Sequence, residues 1–168
     1  MWQRIAGVFR FRVATFEEIE RDPRANGQAL LVVSGVALIT GLGYALGASL
    51  TGSDAFETFI LTVLWTYASW LLWGFITYVL GTRIFGGIAT FMEMLRVTGF
   101  AYAPLALAII PFIGGLVGAI WTLAGLFLAV RQGLDIGDAK AFFTVLAGFV
   151  LYLLGIILSA DVLQLIIR

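Results

Sequence analysis

Phe85-Gly86-Gly87-Ile88-Ala89-Thr90-Phe91-Met92-Glu93-Met94-Leu95-Arg96 stands between long uninterrupted apolar runs and one that proline breaks. It opens as a polar connection and turns into the start of an amphipathic helix. It then runs through Gly99-Phe100-Ala101-Tyr102-Ala103-Pro104 to Pro111 and Gly114-Gly115 as an apolar segment broken by proline. Pro104 removes a backbone donor in mid-run, so a regular helix cannot pass through it unchanged. Two full crossings of a bilayer need about 40 residues, and the apolar run from Val97 to Val130 falls short of that. It therefore reads as a hairpin of two short helices or as a re-entrant pair, with the turn near Pro111 to Gly115. A turn at membrane depth must be shielded by protein or wetted by water. Glu93 and Arg96 stand three apart and are placed to pair on one helix face. They are expected near the cytoplasmic side, with Tyr102.

The flanks settle the class. About Gln28 to Leu50 runs without a charge, about Phe56 to Gly81 follows a short turn, and about Ala141 to Ala160 closes the chain. Each is long enough to cross a hydrocarbon core of about 30 Å at about 1.5 Å per residue. Apolar residues make up 61% of the chain, above the about 45–50% of soluble domains. A monomer this apolar cannot cover itself in water, so a bilayer is its solvent. The expected fold is an all-α polytopic bundle of about five transmembrane helices with an N-terminal interfacial amphipathic helix. Residues 1–22 form that interfacial region, and 23–168 form the multi-span domain.

There is no cysteine and no histidine, which removes disulfides, thiolate and imidazole metal sites, and Ser-His or Cys-His nucleophile pairs. The net charge is zero, so no global field selects nucleic acid. Asp54, Glu57 and Asp161 fall at helix ends rather than at mid-membrane, where intramembrane hydrolysis would want paired groups. No catalytic, cofactor or metal site is expected. The acidic cluster Glu17, Glu18, Glu20 and Asp22 is interleaved with Arg21 and Arg24, as in a solvated helix start.

At the amino end, Trp2, Ile5, Phe9, Val13 and Phe16 form one stripe at helical spacing. Arg4, Arg10 and Arg12 flank it, where their stems can lie along an apolar surface while their heads reach phosphates. This reads as a helix in the membrane interface. A stripe packed on the protein's own loops is the alternative. Thr15-Phe16-Glu17-Glu18 fits a capping box for a second short helix. Gly43 and Gly47, with Gly35, form a small-residue face in the first span. Thr58, Thr62, Thr66, Ser69, Trp73 and Thr77 form a seam in the second. That seam faces another helix or a thin water path, or else its hydroxyls bond back to their own helix.

Arg4, Arg10, Arg12, Arg21, Arg24, Arg83, Arg96, Arg131 and Lys140 fall on one set of alternate connections, against Arg168 on the other. By the positive-inside rule the N-terminus is cytoplasmic and the C-terminus outside.

The order of Phe85-Gly86-Gly87, Phe91, Leu95-Arg96, Gly99-Phe100-Ala101-Tyr102-Ala103-Pro104 and Pro111 resembles the Yip1 family of membrane proteins in its short prokaryotic form. Trp121, Gly125-Leu126 and Ala139-Lys140-Ala141 follow at family-like spacings, and Phe16, Ile19 and Asp22-Pro23 resemble its amino-terminal segment. The resemblance covers roughly residues 16–160 and singles out Gly86, Gly87, Gly99, Tyr102 and Pro104. It implies five spans with the N-terminus inside, here in a prokaryotic cytoplasmic membrane. Eukaryotic members are associated with vesicle trafficking and small prenylated GTPases. This chain lacks their long amino-terminal region and their aspartate-leucine-tyrosine-glycine-proline motif, so a GTPase partner is not expected.

Two functions follow as expectations. The first is a non-enzymatic membrane-organising or scaffold protein. Its candidate lipid head-group contacts are Arg83, Arg96, Arg131 and Lys140, each worth about 1 kcal/mol near an anionic leaflet. Its candidate partners are membrane lipids and itself or other membrane proteins. The second is a small transporter, channel or lipid-translocating protein using the proline-broken span. No span carries a central charge, which disfavours coupled ion transport.

Overall fold

Every long apolar run is a helix. The computed structural model describes the backbone of residues 1–167 and the side chains of residues 1–154. Among them are seven α-helices and one 3₁₀ segment, without a strand. These are α1 (Trp2–Phe9), α2 (Val13–Arg21), α3 (Ala25–Thr51), α4 (Ala55–Arg83), α5 (Phe91–Ala101), the 3₁₀ segment (Ala103–Ile109), α6 (Ile113–Gly133) and α7 (Asp138–Ile167). Four stretches are long and apolar enough to cross a membrane: α3, α4, α5 with the 3₁₀ segment, and α6. The backbone of α7 has 30 residues, longer than a bilayer core requires. Asp161 and Arg168 lie outside the described side chains.

Local chemistry sets the ends. Gly52 takes a left-handed φ of 79° to stop α3, and the Asp54 carboxylate accepts the Glu57 amide at 2.8 Å to start α4. Thr90 and Glu93 cap each other's amides at the start of α5. By contrast, the proposed box at Thr15 is not one. Thr15 lies inside α2, against Gly7 of α1, and Glu18 holds Arg4 instead. The amino-terminal stripe is likewise not one helix. Phe11, at φ 52°, separates α1 from α2.

The proline-broken run does not fall short. Its first helix begins at Phe91 rather than Val97, and α6 continues to Gly133. A 3₁₀ segment also rises about 2.0 Å per residue instead of about 1.5 Å, so α5 and the 3₁₀ segment together reach about 30 Å. Pro104 sits in the first turn of the 3₁₀ segment, where no internal donor is lost. The turn that follows lies across a small pocket from Ala48 and Thr51 at the end of α3. The pair is thus a hairpin as tall as the bundle, and not a shallow re-entrant loop.

α5 is the central helix. Every residue from Met94 to Ala101 is buried, against α2, α3, α4 and α6. The outer helices expose apolar faces: Leu31, Leu61, Leu64, Phe75, Leu116 and Ile120 are each 55–65% accessible. A continuous exposed apolar belt of this kind faces hydrocarbon.

Three glycines let backbone meet backbone around the 3₁₀ segment. A methyl at Gly43 of α3 would overlap the Ala108 carbonyl, and one at Gly114 of α6 would overlap the Leu107 carbonyl. At Gly118 it would fall 2.7 Å from the Pro104 carbonyl. Gly35 and Gly47, grouped with Gly43 by spacing, have nothing within 4 Å. Gly43→Ala should therefore cost about 1–3 kcal/mol through overpacking. Gly47→Ala should be neutral, or gain up to about 1 kcal/mol from helix propensity. Thermal unfolding of both variants in detergent checks the contrast.

Candidate functional site: a cationic end and a buried cavity

The connections 84–90 and 134–137 and the helices α1 and α2 meet at one end of the bundle. Gly86 turns with φ 71°, and the Gly87 amide donates to the Gly81 carbonyl at 2.8 Å. A methyl at Gly87 would lie 2.9 Å from the Leu134 carbonyl, and the next amide, of Ile88, donates to that carbonyl at 3.0 Å. Lys140 Nζ donates to the Phe85 carbonyl at 3.0 Å, joining the start of α7 to the same connection. Gln132 Nε2 donates to Glu17 Oε1 at 2.8 Å, joining α6 to α2.

Arg96 departs from its expected role. It is only 6% exposed. Its Nε donates to the Ile19 carbonyl at 3.1 Å and to the Glu20 carbonyl at 2.8 Å, and Nη2 also donates to the Glu20 carbonyl. The expected pair with Glu93 is present at 3.4 Å. The Ile19 carbonyl also accepts the Asp22 amide at 3.4 Å, and both carbonyls lie in the last turn of α2, where a buried cation adds to a sparsely bonded helix end. Arg96 is a tie between α5 and α2, and its guanidinium does not reach a head group. The other three candidates differ from it and from one another. Arg83 is exposed and makes no ion pair among the described residues. Lys140 is exposed. Arg131 is half-buried and held by Asp138 at 2.9 Å.

The amino-terminal residues divide as well. Phe16 is fully buried in the core, Ile5 and Phe9 pack against it, Val13 is half-buried, and Trp2 is 76% exposed. The stripe therefore lies largely on the protein's own helices. Trp121 of α6 donates to the Phe9 carbonyl at 3.2 Å and stacks on Phe11 at 5.7 Å. Arg4 gathers the acidic cluster, reaching Asp22 at 2.6 Å, Glu18 at 2.9 Å and Gln28 at 3.0 Å. The hydrogen bond from Arg4 holds the Asp22 carboxyl below its usual range, helped by the Arg24 amide. Glu20 goes the other way. Burial raises it first, and the Asp135 and Glu93 carboxylates add to the effect.

Deeper in the bundle is a cavity of about 280 Å³ between α3, α4, the 3₁₀ segment, α6 and α7. Thr66, Ser69, Trp73, Tyr102, Thr122 and Tyr152 supply its polar wall. Tyr102 ends α5, roughly 16 Å along the helix from its Thr90 cap, so it lies deep in the bundle and not at the cationic edge. A methyl at Gly99, one turn earlier, would lie 3.0 Å from Ala29 and 3.2 Å from Trp70. The hydroxyl seam of α4 behaves as isolated hydroxyls do in apolar helices. Thr58, Thr62, Thr66, Ser69 and Thr77 each donate to a carbonyl of their own helix, at 2.7–3.0 Å. Sequence spacing marked Thr66, Ser69 and Trp73 but not Thr122, whose role depends on which face of α6 lines the cavity.

Apolar spans, a cationic end and a proline-broken central span define an integral polytopic helical membrane protein. The family follows from comparison: the Yip1 domain matches residues 6–160, and the chain belongs to that family. No curated protein and no solved structure matches it.

Arg96→Gln should destabilise the fold by about 3 kcal/mol or more, since carbonyls stay buried without their cation. Glu20→Gln tests the opposite sign. A carboxyl with a raised folded pKa contributes stability below its unfolded value of about 4.3, and that contribution is lost as pH rises through the folded pKa. At pH 7 the Gln variant should thus melt above the parent protein, with the gap closing below about pH 4. Thermal melts across pH check both.

Proposed function

We propose that the protein is a non-enzymatic membrane-organising module whose cationic end lies against anionic head groups of the cytoplasmic leaflet. The observation that carries this is that Arg83, at the end of α4, and Lys140, at the start of α7, are both exposed beside the 84–90 connection at one end of the bundle. Arg21 and Arg24 are exposed on the adjoining segment. The connections 52–54 and 110–112 at the other end carry no Lys or Arg. Positive charge of this kind is retained in the cytoplasm, which supports a cytoplasmic N-terminus in a prokaryotic cytoplasmic membrane. Arg131 contributes less, because Asp138 offsets its charge. Residues 1–22 fasten the module to the interface through Trp2, while Gly86, Gly87, Gly99 and Pro104 set the shape of the connection and of the broken span. Other membrane proteins, or a second copy, dock on the exposed apolar faces.

Native mass spectrometry of the detergent-purified protein, with phosphatidylglycerol or phosphatidylcholine added, tests the reading. Phosphatidylglycerol should be retained preferentially. The double variant Arg83→Gln with Lys140→Gln should lose that preference by about tenfold or more. Equal retention of the two lipids by the unaltered protein would contradict the reading.

A further inference from the structure

Two residues that line the half-open cavity each carry a buried polar atom that is left over. Trp73 Nε1 and Thr122 Oγ1 are fully buried and have no hydrogen-bond partner among the described residues. Their residues are 3% and 4% exposed. The neighbouring groups show that this is unusual here. Trp70, one helical turn away, donates to the Leu95 carbonyl at 3.0 Å, and Trp65 donates to the Tyr152 hydroxyl at 3.1 Å. Thr40, Thr66, Thr77, Thr98 and Thr144 each reach the carbonyl four residues back. Thr122 does not. A buried donor without an acceptor costs about 1–3 kcal/mol. An indole N–H is a donor only, so what completes Trp73 must be an acceptor.

We propose that this cavity binds one uncharged lipid-like molecule, a hydrocarbon body bearing a carbonyl or hydroxyl oxygen that accepts from Trp73 and meets Thr122. Three features set the chemistry. Among the described residues no carboxylate, ammonium or guanidinium lines the cavity, so a charged group would enter without compensation from them. Leu105, Ala108, Leu123, Leu126 and Phe149 supply an apolar body to the wall. The seam hydroxyls already donate to their own helix, which leaves little to hold a chain of water molecules, each of which needs two to four polar partners. The volume, at the small end for ligand pockets, suits part of a lipid rather than a whole one. Tyr44 and Trp65, the exposed members of the wall, place its mouth on the apolar surface of the bundle. Entry from the bilayer follows, and the proposal stands apart from the cationic end.

The shared chemistry belongs both to a neutral diacylglycerol and to the ester region of a phospholipid, so both serve as probes. The full chain is reconstituted with diazirine-tailed diacylglycerol or diazirine-tailed phosphatidylcholine, irradiated, and mapped by peptide mass spectrometry. Labels are expected in segments 62–73 and 119–126. Labelling by both probes assigns recognition to the ester region, and labelling by diacylglycerol alone assigns it to the whole neutral molecule. Ala119→Phe, which fills the cavity, should abolish these labels. Thr122→Val keeps side-chain volume, and Trp73→Phe keeps an aromatic ring while shedding the indole N–H; with thermal melts confirming that both fold, each should weaken labelling about fivefold, as loss of one hydrogen bond does. Labels confined to outward residues such as Leu61 and Leu116, unchanged in all three variants, would overturn the proposal and leave the cavity to water.

Discussion

Backbone touching backbone is the constraint on which this fold depends. The central span must cross in few residues and past a proline, which it does by winding its second half as a 3₁₀ helix. Such a segment is thin, and its neighbours gain contact only by coming close. Gly43 on one side and Gly114 and Gly118 on the other allow that approach, because each points at a carbonyl where a methyl would collide. In a bilayer, where lipid is as apolar as the helices, close packing of this sort takes the place of the hydrophobic effect as the force joining helices. Tyr102 sits where α5 gives way to the 3₁₀ segment, and the cavity opens beside that junction. The fold and this cavity thus share a cause.

The opposite problem is solved at the cationic end. Helices that stop near the membrane surface leave carbonyls short of partners. Arg96 answers this for α2, and in doing so fixes the two amino-terminal helices against α5. A side chain that looks like a lipid contact is here an internal fastening. The charges that remain exposed, on Arg83 and Lys140, flank a connection whose position this fastening helps to set.

Much of this was legible from residues alone, because bilayer thickness imposes span lengths and charge follows connections. The long helices, the Gly52–Asp54 turn, the Glu93–Arg96 pair and the family resemblance all follow from local patterns. What was not legible depends on facing partners. Thr15–Glu18 and Thr90–Glu93 carry the same capping signature, but only the second is a cap, because Gly7 and Arg4 claim the first pair. Gly43 and Gly47 look alike in sequence and differ only in what lies opposite. Arg96 and Arg83 are equally basic, yet one is buried by a helix far away in the chain. The amino-terminal stripe has ideal helical spacing, but Phe11 breaks it and Phe16 enters the core. Thr122 gains meaning only once α6 and α4 are seen to line one cavity.

The account stands on the central hairpin being as tall as the membrane, with its turn at the face opposite the cationic connections. The chain has no cysteine, so single-cysteine variants report position cleanly. Ser53→Cys, Phe112→Cys and Gly137→Cys would be probed in intact cells with a membrane-impermeant maleimide. The first two should label from outside, and Gly137→Cys should label only after the membrane is opened. Protection of Phe112→Cys alongside Gly137→Cys, while Ser53→Cys reacts, would contradict a full crossing.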